Sequence, residues 1–187
     1  MHSTDIVSSW VARWAPLVPQ AQGQRQVLDL ACGSGRHARL LARLGHAVTA
    51  LDRDPQALLA AAGEGIATVQ LDLEAPGAAW PFAPGSLAGI VVTNYLHRPL
   101  FGHIAAALAP DGVLIYETFA RGNEVFGKPS NPDFLLAPGE LLGLAGRGGL
   151  QVLAYEDGVV AKPKPARVQR LCAVGPDFDL GSARLDL

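Results

Sequence analysis

Residues Val27 to Asp54, VLDLACGSGRHARLLARLGHAVTALDRD, decide the fold. They read as strand, glycine turn, helix, second strand and terminal acid in one unbroken unit. Val27, Leu28 and Leu30 form a short apolar run with Asp29 embedded in it, the signature of a strand covered on both faces. Cys32-Gly33-Ser34-Gly35 is a tight turn, where glycine permits positive φ and close approach of a ligand to the backbone. Gly35 opens a helix with Arg36, Arg39 and Arg43 on one face and Leu41 and Leu44 on another, and Gly45 stops it. Ala47 to Leu51 returns as a strand that delivers Asp52 at its carboxyl end. A right-handed crossover and a parallel sheet follow from such a unit. It sets a helix N-terminus and an acid about 20 residues apart on one rim, the arrangement that holds nucleotide-type cofactors.

The remaining chain continues the pattern. Residues 4 to 18 are expected to form a helix, with Thr4 as N-cap and Pro16 as terminator. Its Trp10 and Arg13 are candidates to cover a ligand at the glycine turn, although tryptophans at helical spacing equally describe packing on a sheet. Asp54-Pro55 starts a second helix, 56–62, and Gly63 ends it. Strands are expected over 66–71, 87–93 and 113–119, with a helix over 100–108 and a turn at Pro110-Asp111-Gly112. The polar stretch 120–138 is a long loop, expected to be a substrate-side lid. Pro138 opens a helix, and 150–155 and 168–174 form a terminal hairpin.

Composition bounds the function. A chain of 187 residues, 49% hydrophobic and 17% charged, suits a single folded domain, 1–187. Its net charge of −2 offers no general attraction to nucleic acid or anionic membrane. Two cysteines make neither a disulfide framework nor a zinc pattern, which points to a cytoplasmic protein, and no signal peptide is visible at the N-terminus. The charge-free stretch 75–96 is broken by prolines and glycines and reads as loop and strand, not as a membrane span. The histidines His2, His37, His46 and His103 share no ligand spacing with cysteines or paired acids, so no metal is expected. Lys162, Lys164, Arg167 and Arg170 around prolines read as a solvated connection.

Two cofactor classes fit the glycine turn. Gly33-Ser34-Gly35-Arg36-His37-Ala38 satisfies the dinucleotide fingerprint, with Asp52 as the ribose acid. Asp29 inside the first strand, Asp72 closing the third, and the terminal hairpin favour another class. On Asp29-Leu30-Ala31-Cys32-Gly33-Ser34-Gly35 the chain resembles the class I S-adenosylmethionine-dependent methyltransferases, with Ala31 and Cys32 replacing a frequent glycine pair. A closer likeness, to the small bacterial tellurite-resistance and thiopurine-type methyltransferases, rests on Asn94-Tyr95-Leu96-His97-Arg98 and on 127–142.

The resemblance implies an α/β, Rossmann-like, seven-stranded mixed sheet of order 3-2-1-4-5-7-6, strand 7 antiparallel, with helices on both faces. It implies that the backbone at Ala31, Gly33 and Gly35 approaches the methionine part of S-adenosylmethionine, with Asp29 near its amino group. Asp52 would accept the ribose hydroxyls, Arg53 would flank the adenine, Asp72 would accept from its amine and Leu73 would donate to it. Asn94 and Tyr95 would lie beside the methyl group. A neutral acceptor atom would need a base, for which His97 and Glu117 are candidates, Glu117 because a carboxylate inside a strand needs a partner or faces the site. Tyr95 and Arg98 are candidate positioning groups, Arg98 for an anionic substrate. The expected protein is a monomeric or weakly dimeric enzyme that methylates a small molecule. A nicotinamide-dependent oxidoreductase and a non-catalytic S-adenosylmethionine-binding protein are the alternatives.

Overall fold

The computed structural model describes residues 6–20 and 25–183. Seven strands join one sheet: β1 (Gln26–Leu30), β2 (Val48–Asp52), β3 (Ile66–Gln70), β4 (Leu87–Thr93), β5 (Leu108–Phe119), β6 (Gln151–Val160) and β7 (Ala166–Val174). Their order is β3-β2-β1-β4-β5-β7-β6, with β7 antiparallel to both neighbours and the other pairs parallel. This is the order that the sequence resemblance implies. Among the described residues, five α-helices accompany the sheet: α1 (Ser9–Trp14), α2 (Arg36–Arg43), α3 (Pro55–Ala61), α4 (Phe101–Ala107) and α5 (Glu140–Arg147).

Alternation along each strand sends successive side chains to opposite faces and so builds two cores. Leu28, Leu30, Ile90, Val92, Leu114 and Tyr116 meet Phe101 and Ile104 of α4 and Leu141 and Leu144 of α5. Val27, Val48, Ala50, Val91, Val113 and Ile115 meet α1 through Trp10, Val11 and Trp14, α2 through Ala38 and Leu41, and α3 through Leu58 and Ala61. Because both faces are covered, central β4 is buried along its whole length, whereas no residue of edge strand β3 is fully buried.

Several boundaries differ from the sequence expectation. The first helix is confined to Ser9–Trp14, capped by the Ser8 hydroxyl, which accepts from the Trp10 N–H at 3.1 Å. Pro16 supplies no N–H, and the chain tightens into a 3₁₀ turn, Ala15–Leu17. Thr4, the expected cap, lies outside the described residues. β5 pairs from Leu108 onward, not from Val113: the ladder steps from Leu87–Leu108 to Gly89–Val113, and the expected turn at Pro110 is absorbed as an irregularity between the two. α5 begins at Glu140, because Gly139 takes φ +70° and turns the chain into the helix after Pro138. The hairpin strands extend to 151–160 and 166–174.

Candidate active site

The glycine turn is a compact reversal between β1 and α2. Ala31, Gly33 and Gly35 adopt φ of +54°, +53° and +77°, and Ala31 does so with a side chain, a conformation that costs about 1 kcal/mol or more. The Cys32 N–H donates to the Leu51 carbonyl at 3.0 Å, and Gly35 N–H to the Cys32 carbonyl, also 3.0 Å. The two glycines serve different ends. A Cβ on Gly33 would meet no atom within 4 Å, so this peptide fronts open space. A Cβ on Gly35 would lie 2.6 Å from Ala61 Cβ and 2.7 Å from its Cα, so Gly35 lets α2 start against α3.

Two carboxylates brace the turn. Asp29 is 1% exposed; its Oδ2 accepts the Ala38 N–H at 2.8 Å, while Oδ1 is buried with no hydrogen-bond partner. Burial pushes its carboxyl up to about 7, against the pull of the Ala38 bond and the Arg36 charge. Asp52, at the end of β2, accepts the Gly33 N–H at 2.8 Å through Oδ2 and the Asp54 N–H at 2.9 Å through Oδ1. It thereby couples the turn to the start of α3.

Beside these lies a cavity of about 120 Å³, at the carboxyl ends of β1 to β4, lined by Leu30, Ala31, Leu51, Asp52, Arg53, Leu71, Leu73, Glu74 and Tyr95. Four residues expected from the cofactor motif, Ala31, Asp52, Arg53 and Leu73, therefore meet there, together with Tyr95. Asp72 is exposed and does not line it; its Oδ1 accepts the Glu74 N–H at 2.9 Å. Glu74, given no role from the sequence, lines it together with Asp52 and is itself exposed. Burial, followed by the charge and hydrogen bond of Glu74, holds the Tyr95 phenol above its ordinary range. Asn94 is exposed at φ +55°, and its N–H donates to the Glu117 carbonyl at 2.9 Å.

The remaining candidates are distributed otherwise. Glu117 has a partner: opposite it on β7, Arg170 donates to its carboxylate and also reaches Glu156 at 3.1 Å. The Arg170 and Glu117 side chains are only 14% and 12% exposed. Of the two ways to accommodate a carboxylate inside a strand, the chain uses the ion pair. Arg98 is committed to several acceptors, Glu140 through both carboxylate oxygens (2.6 and 3.0 Å) and the carbonyls of Asp133 (2.7 Å) and Leu135 (2.9 Å). It therefore clamps the 120–138 segment to α5. That segment is further held by Asn123, buried, which receives the Arg167 N–H and donates to the Pro129 carbonyl. Trp10 is buried on the sheet with its indole N–H on the Leu171 carbonyl at 3.2 Å, and the Arg13 guanidinium lies over the Trp14 ring, 4.7 Å from its centre. Neither lines the cavity. His97 is half-buried at the start of the 3₁₀ turn 98–100, after β4.

His37 is a polar node that sequence reasoning passed over. Its Nε2 accepts the Ser8 N–H at 3.1 Å and faces Arg36 Nε at 3.3 Å, while Nδ1 lies 3.3 Å from Thr93 Oγ1. Two donors on Nε2 leave the proton on Nδ1, so the ring donates to Thr93. Burial, then the Arg36 charge, lowers it to about 3. The available signal was its place directly behind Gly35-Arg36, where a side chain turns toward β4. Among the described residues, no group of histidine, cysteine and acidic side chains is arranged to hold a metal ion, and no helix is long and apolar enough to cross a membrane.

Residues 27–112, a little under half of the chain, match a family model described as a methyltransferase domain. No curated protein matches the chain in sequence. In fold it is similar to TehB from Haemophilus influenzae, with TM-score 0.69 and 19% identity over 90% of this chain and 62% of that one, so it spans less than two thirds of that relative. A TehB-like S-adenosylmethionine-dependent methyltransferase from Corynebacterium glutamicum ATCC 13032 gives 0.64 and 20% over 91% and 89%. Geranyl diphosphate C-methyltransferase from Streptomyces coelicolor A3(2), crystallised with Mg2+, geranyl diphosphate and S-adenosyl-L-homocysteine, gives 0.65 and 14% over 88% and 78%. Likenesses at this level of identity establish the fold.

Proposed function

We propose that this chain, which has the class I methyltransferase fold and matches a methyltransferase-domain model over residues 27–112, transfers a methyl group from S-adenosylmethionine to a small-molecule acceptor. The observation that carries the reading is the convergence of Ala31, Asp52, Arg53, Leu73 and Tyr95 on one cavity beside the glycine turn. The residues present suit such a cofactor. Open space in front of Gly33 admits a ligand against the backbone, and the buried, unpartnered Asp29 Oδ1 offers an acceptor for an ammonium group, directly or through water. Asp52 spends each oxygen on a single backbone N–H, which leaves lone pairs for two ribose hydroxyls. Similarity in fold to a protein that was crystallised with S-adenosyl-L-homocysteine and a small diphosphate ester supports both the cofactor and the acceptor class.

The cofactor supplies a methyl group already activated on a sulfonium. The protein's part is to hold the acceptor atom about 3 to 3.5 Å away in line and to exclude water. In this reading the leucines at 30, 51, 71 and 73 form an apolar wall, Arg53 flanks the base and Leu73 offers its backbone N–H. Tyr95, kept neutral by burial and by Glu74, acts as a hydrogen-bond donor rather than a base. His97 and Asn94, at the end of β4, are the groups placed to meet an acceptor, with His97 the candidate base for a neutral oxygen or nitrogen. Glu117 and Arg98 contribute by holding β5, β7 and the 120–138 segment in place. The enzyme is taken as cytoplasmic and monomeric or weakly dimeric, without nucleic-acid or membrane partners.

Calorimetric titration with S-adenosylmethionine, S-adenosylhomocysteine and NADH, on wild type and Asp52→Ala, tests the proposal. The first two ligands are expected to bind and the third not, with binding lost in the variant. Binding of NADH alone would return the glycine turn to the dinucleotide class. Tight cofactor binding with no S-adenosylhomocysteine formed across an acceptor panel would favour a non-catalytic binding protein.

A further inference from the structure

We infer that the segment 120–138 is a fixed lip on the acceptor side of the site, and that it selects an acceptor with an apolar body and an acidic group. The inference rests on the cofactor reading above and names the acceptor class for that same site. Hydrogen bonds carry the segment along the carboxyl rim from β4 to β7. At one end Arg98, next to His97, donates to the carbonyls of Asp133 and Leu135 at 2.7 and 2.9 Å. In the middle the Leu136 N–H donates to the Phe119 carbonyl at 2.9 Å and the Arg121 N–H to the Leu136 carbonyl at 3.0 Å. At the other end the Ala120 N–H donates to the Arg167 carbonyl at 2.9 Å, and Asn123 Oδ1 accepts the Arg167 N–H at 3.0 Å. Arg167 is the second residue of β7, directly after the hairpin loop 161–165.

A segment so well anchored still leaves large apolar side chains in water. Phe134 is 50% exposed although Arg98 holds the carbonyls on both sides of it, and Phe126 and Val125 are 41% and 78% exposed. Apolar side chains kept outside on one anchored segment mark an interaction site. Charge decides what it meets. Arg121 and Lys128 on the segment and Lys162 and Lys164 on the adjoining hairpin loop are exposed, against two exposed acids, Glu124 and Asp133. Glu124 is engaged locally, its Oε2 accepting the Gly122 N–H at 2.9 Å. Among the described residues the three lysines form no ion pair. The cofactor half of the rim instead carries Asp52, Asp72 and Glu74 around Arg53. A chain of net charge −2 thus gathers exposed cations on its acceptor half, which attracts an anion there and repels both a cation and a second copy of the same surface.

The test uses 2-naphthoate and 2-naphthylmethylammonium, one ring with opposite charges, titrated by calorimetry into protein saturated with S-adenosylhomocysteine. The variants are Phe134→Ala, the pair Lys162→Gln with Lys164→Gln, and, as a control, Leu59→Ser, which removes a leucine of α3 that is 71% exposed. Thermal unfolding verifies that each is folded. Wild type is expected to prefer the acid by about fivefold or more, a margin that shrinks at high salt. Phe134→Ala should weaken both probes by about fivefold, the lysine pair should bring the two probes level, and Leu59→Ser should change neither. Equal affinities in wild type, or losses no greater in Phe134→Ala than in Leu59→Ser, overturn the inference while S-adenosylhomocysteine binding leaves the cofactor reading standing. A dimer in sedimentation velocity that Phe134→Ala dissociates, or co-sedimentation with phosphatidylglycerol vesicles lost in the same variants, assigns the lip to another partner and overturns it too. Failure of S-adenosylhomocysteine to bind overturns the cofactor reading and, with it, the role of the lip toward a methyl acceptor.

Discussion

Replacing each glycine of the turn by alanine should separate the residue that makes room for a helix from the one that makes room for a ligand. At Gly35, φ +77° alone costs a side chain about 1–2 kcal/mol. Its Cβ would also stand 2.6 Å from Ala61 Cβ and 2.7 Å from Ala61 Cα. Ordinary carbon contacts fall at about 3.5–4.0 Å, so α3 has to retreat by roughly 1 Å, and overpacking of this kind costs about 1–3 kcal/mol. The total is about 2–5 kcal/mol, which for a chain of this length lowers Tm by roughly 4–20 °C. At Gly33 the strain at φ +53° is similar, but the methyl meets nothing, so about 1–2 kcal/mol and roughly 2–8 °C are expected. That methyl occupies the space where a ligand approaches, so Gly33→Ala should lose S-adenosylhomocysteine affinity by tenfold or more while remaining folded at 25 °C. Circular-dichroism melting and calorimetry read the two effects. A Gly33→Ala protein that melts at or below Gly35→Ala, or that binds as wild type does, would refute the assignment.

Asp29 titrates at about 7 in the folded protein against 3.8 when unperturbed. The folded state therefore holds an extra proton between those values, and stability falls as pH rises from about 4 through about 7; melting of Asp29→Asn, which keeps an acceptor for the Ala38 N–H, should lack this component. His37 shows the opposite sign, about 3 against 6.5: its contribution is complete above 6.5 and is lost as pH falls toward 3. His37→Ala leaves the Ser8 N–H and Thr93 hydroxyl without their partner, so a loss of about 1–3 kcal/mol is expected, with faster amide exchange at Ser8. Arg98→Ala removes the donors to Glu140, Asp133 and Leu135, and hydrogen exchange should quicken across 131–137 while β4 stays protected. Unchanged exchange there would mean that Asn123, the backbone bonds of Leu136 to Phe119 and Arg121, and Gln169 secure the segment without Arg98.

The succession of strands and helices was legible because the signal for it is local, whereas their order in the sheet was given by the family resemblance. Apolar runs mark covered strands, Asp54-Pro55 marks a helix start, and Gly45 marks a helix stop, each through the conformational limits of a few adjacent residues. The same locality sets the relative places of Asp29, Ala31, Gly33 and Asp52, since strand, turn and helix follow one another within one crossover. Boundaries were less legible where two signals compete. Leu108 joins the sheet ahead of Pro110 because pairing with Leu87 is decided by a strand about twenty residues away in sequence, not by the turn that follows.

Tertiary structure alone decided what the polar side chains face. Glu117 reads the same in sequence whether it serves a reaction or an ion pair; the antiparallel register that sets Arg170 opposite it makes the choice. Arg98 is spent on Glu140, 42 residues away, and His37 on Ser8 and Thr93 from two other elements. Asp72 and Glu74 are joined by one turn and both are exposed, yet only Glu74 lines the cavity. Local sequence specifies backbone conformation, which depends on neighbours along the chain. The partner of a charge depends on distances across the fold, and those exist only once the sheet has been assembled.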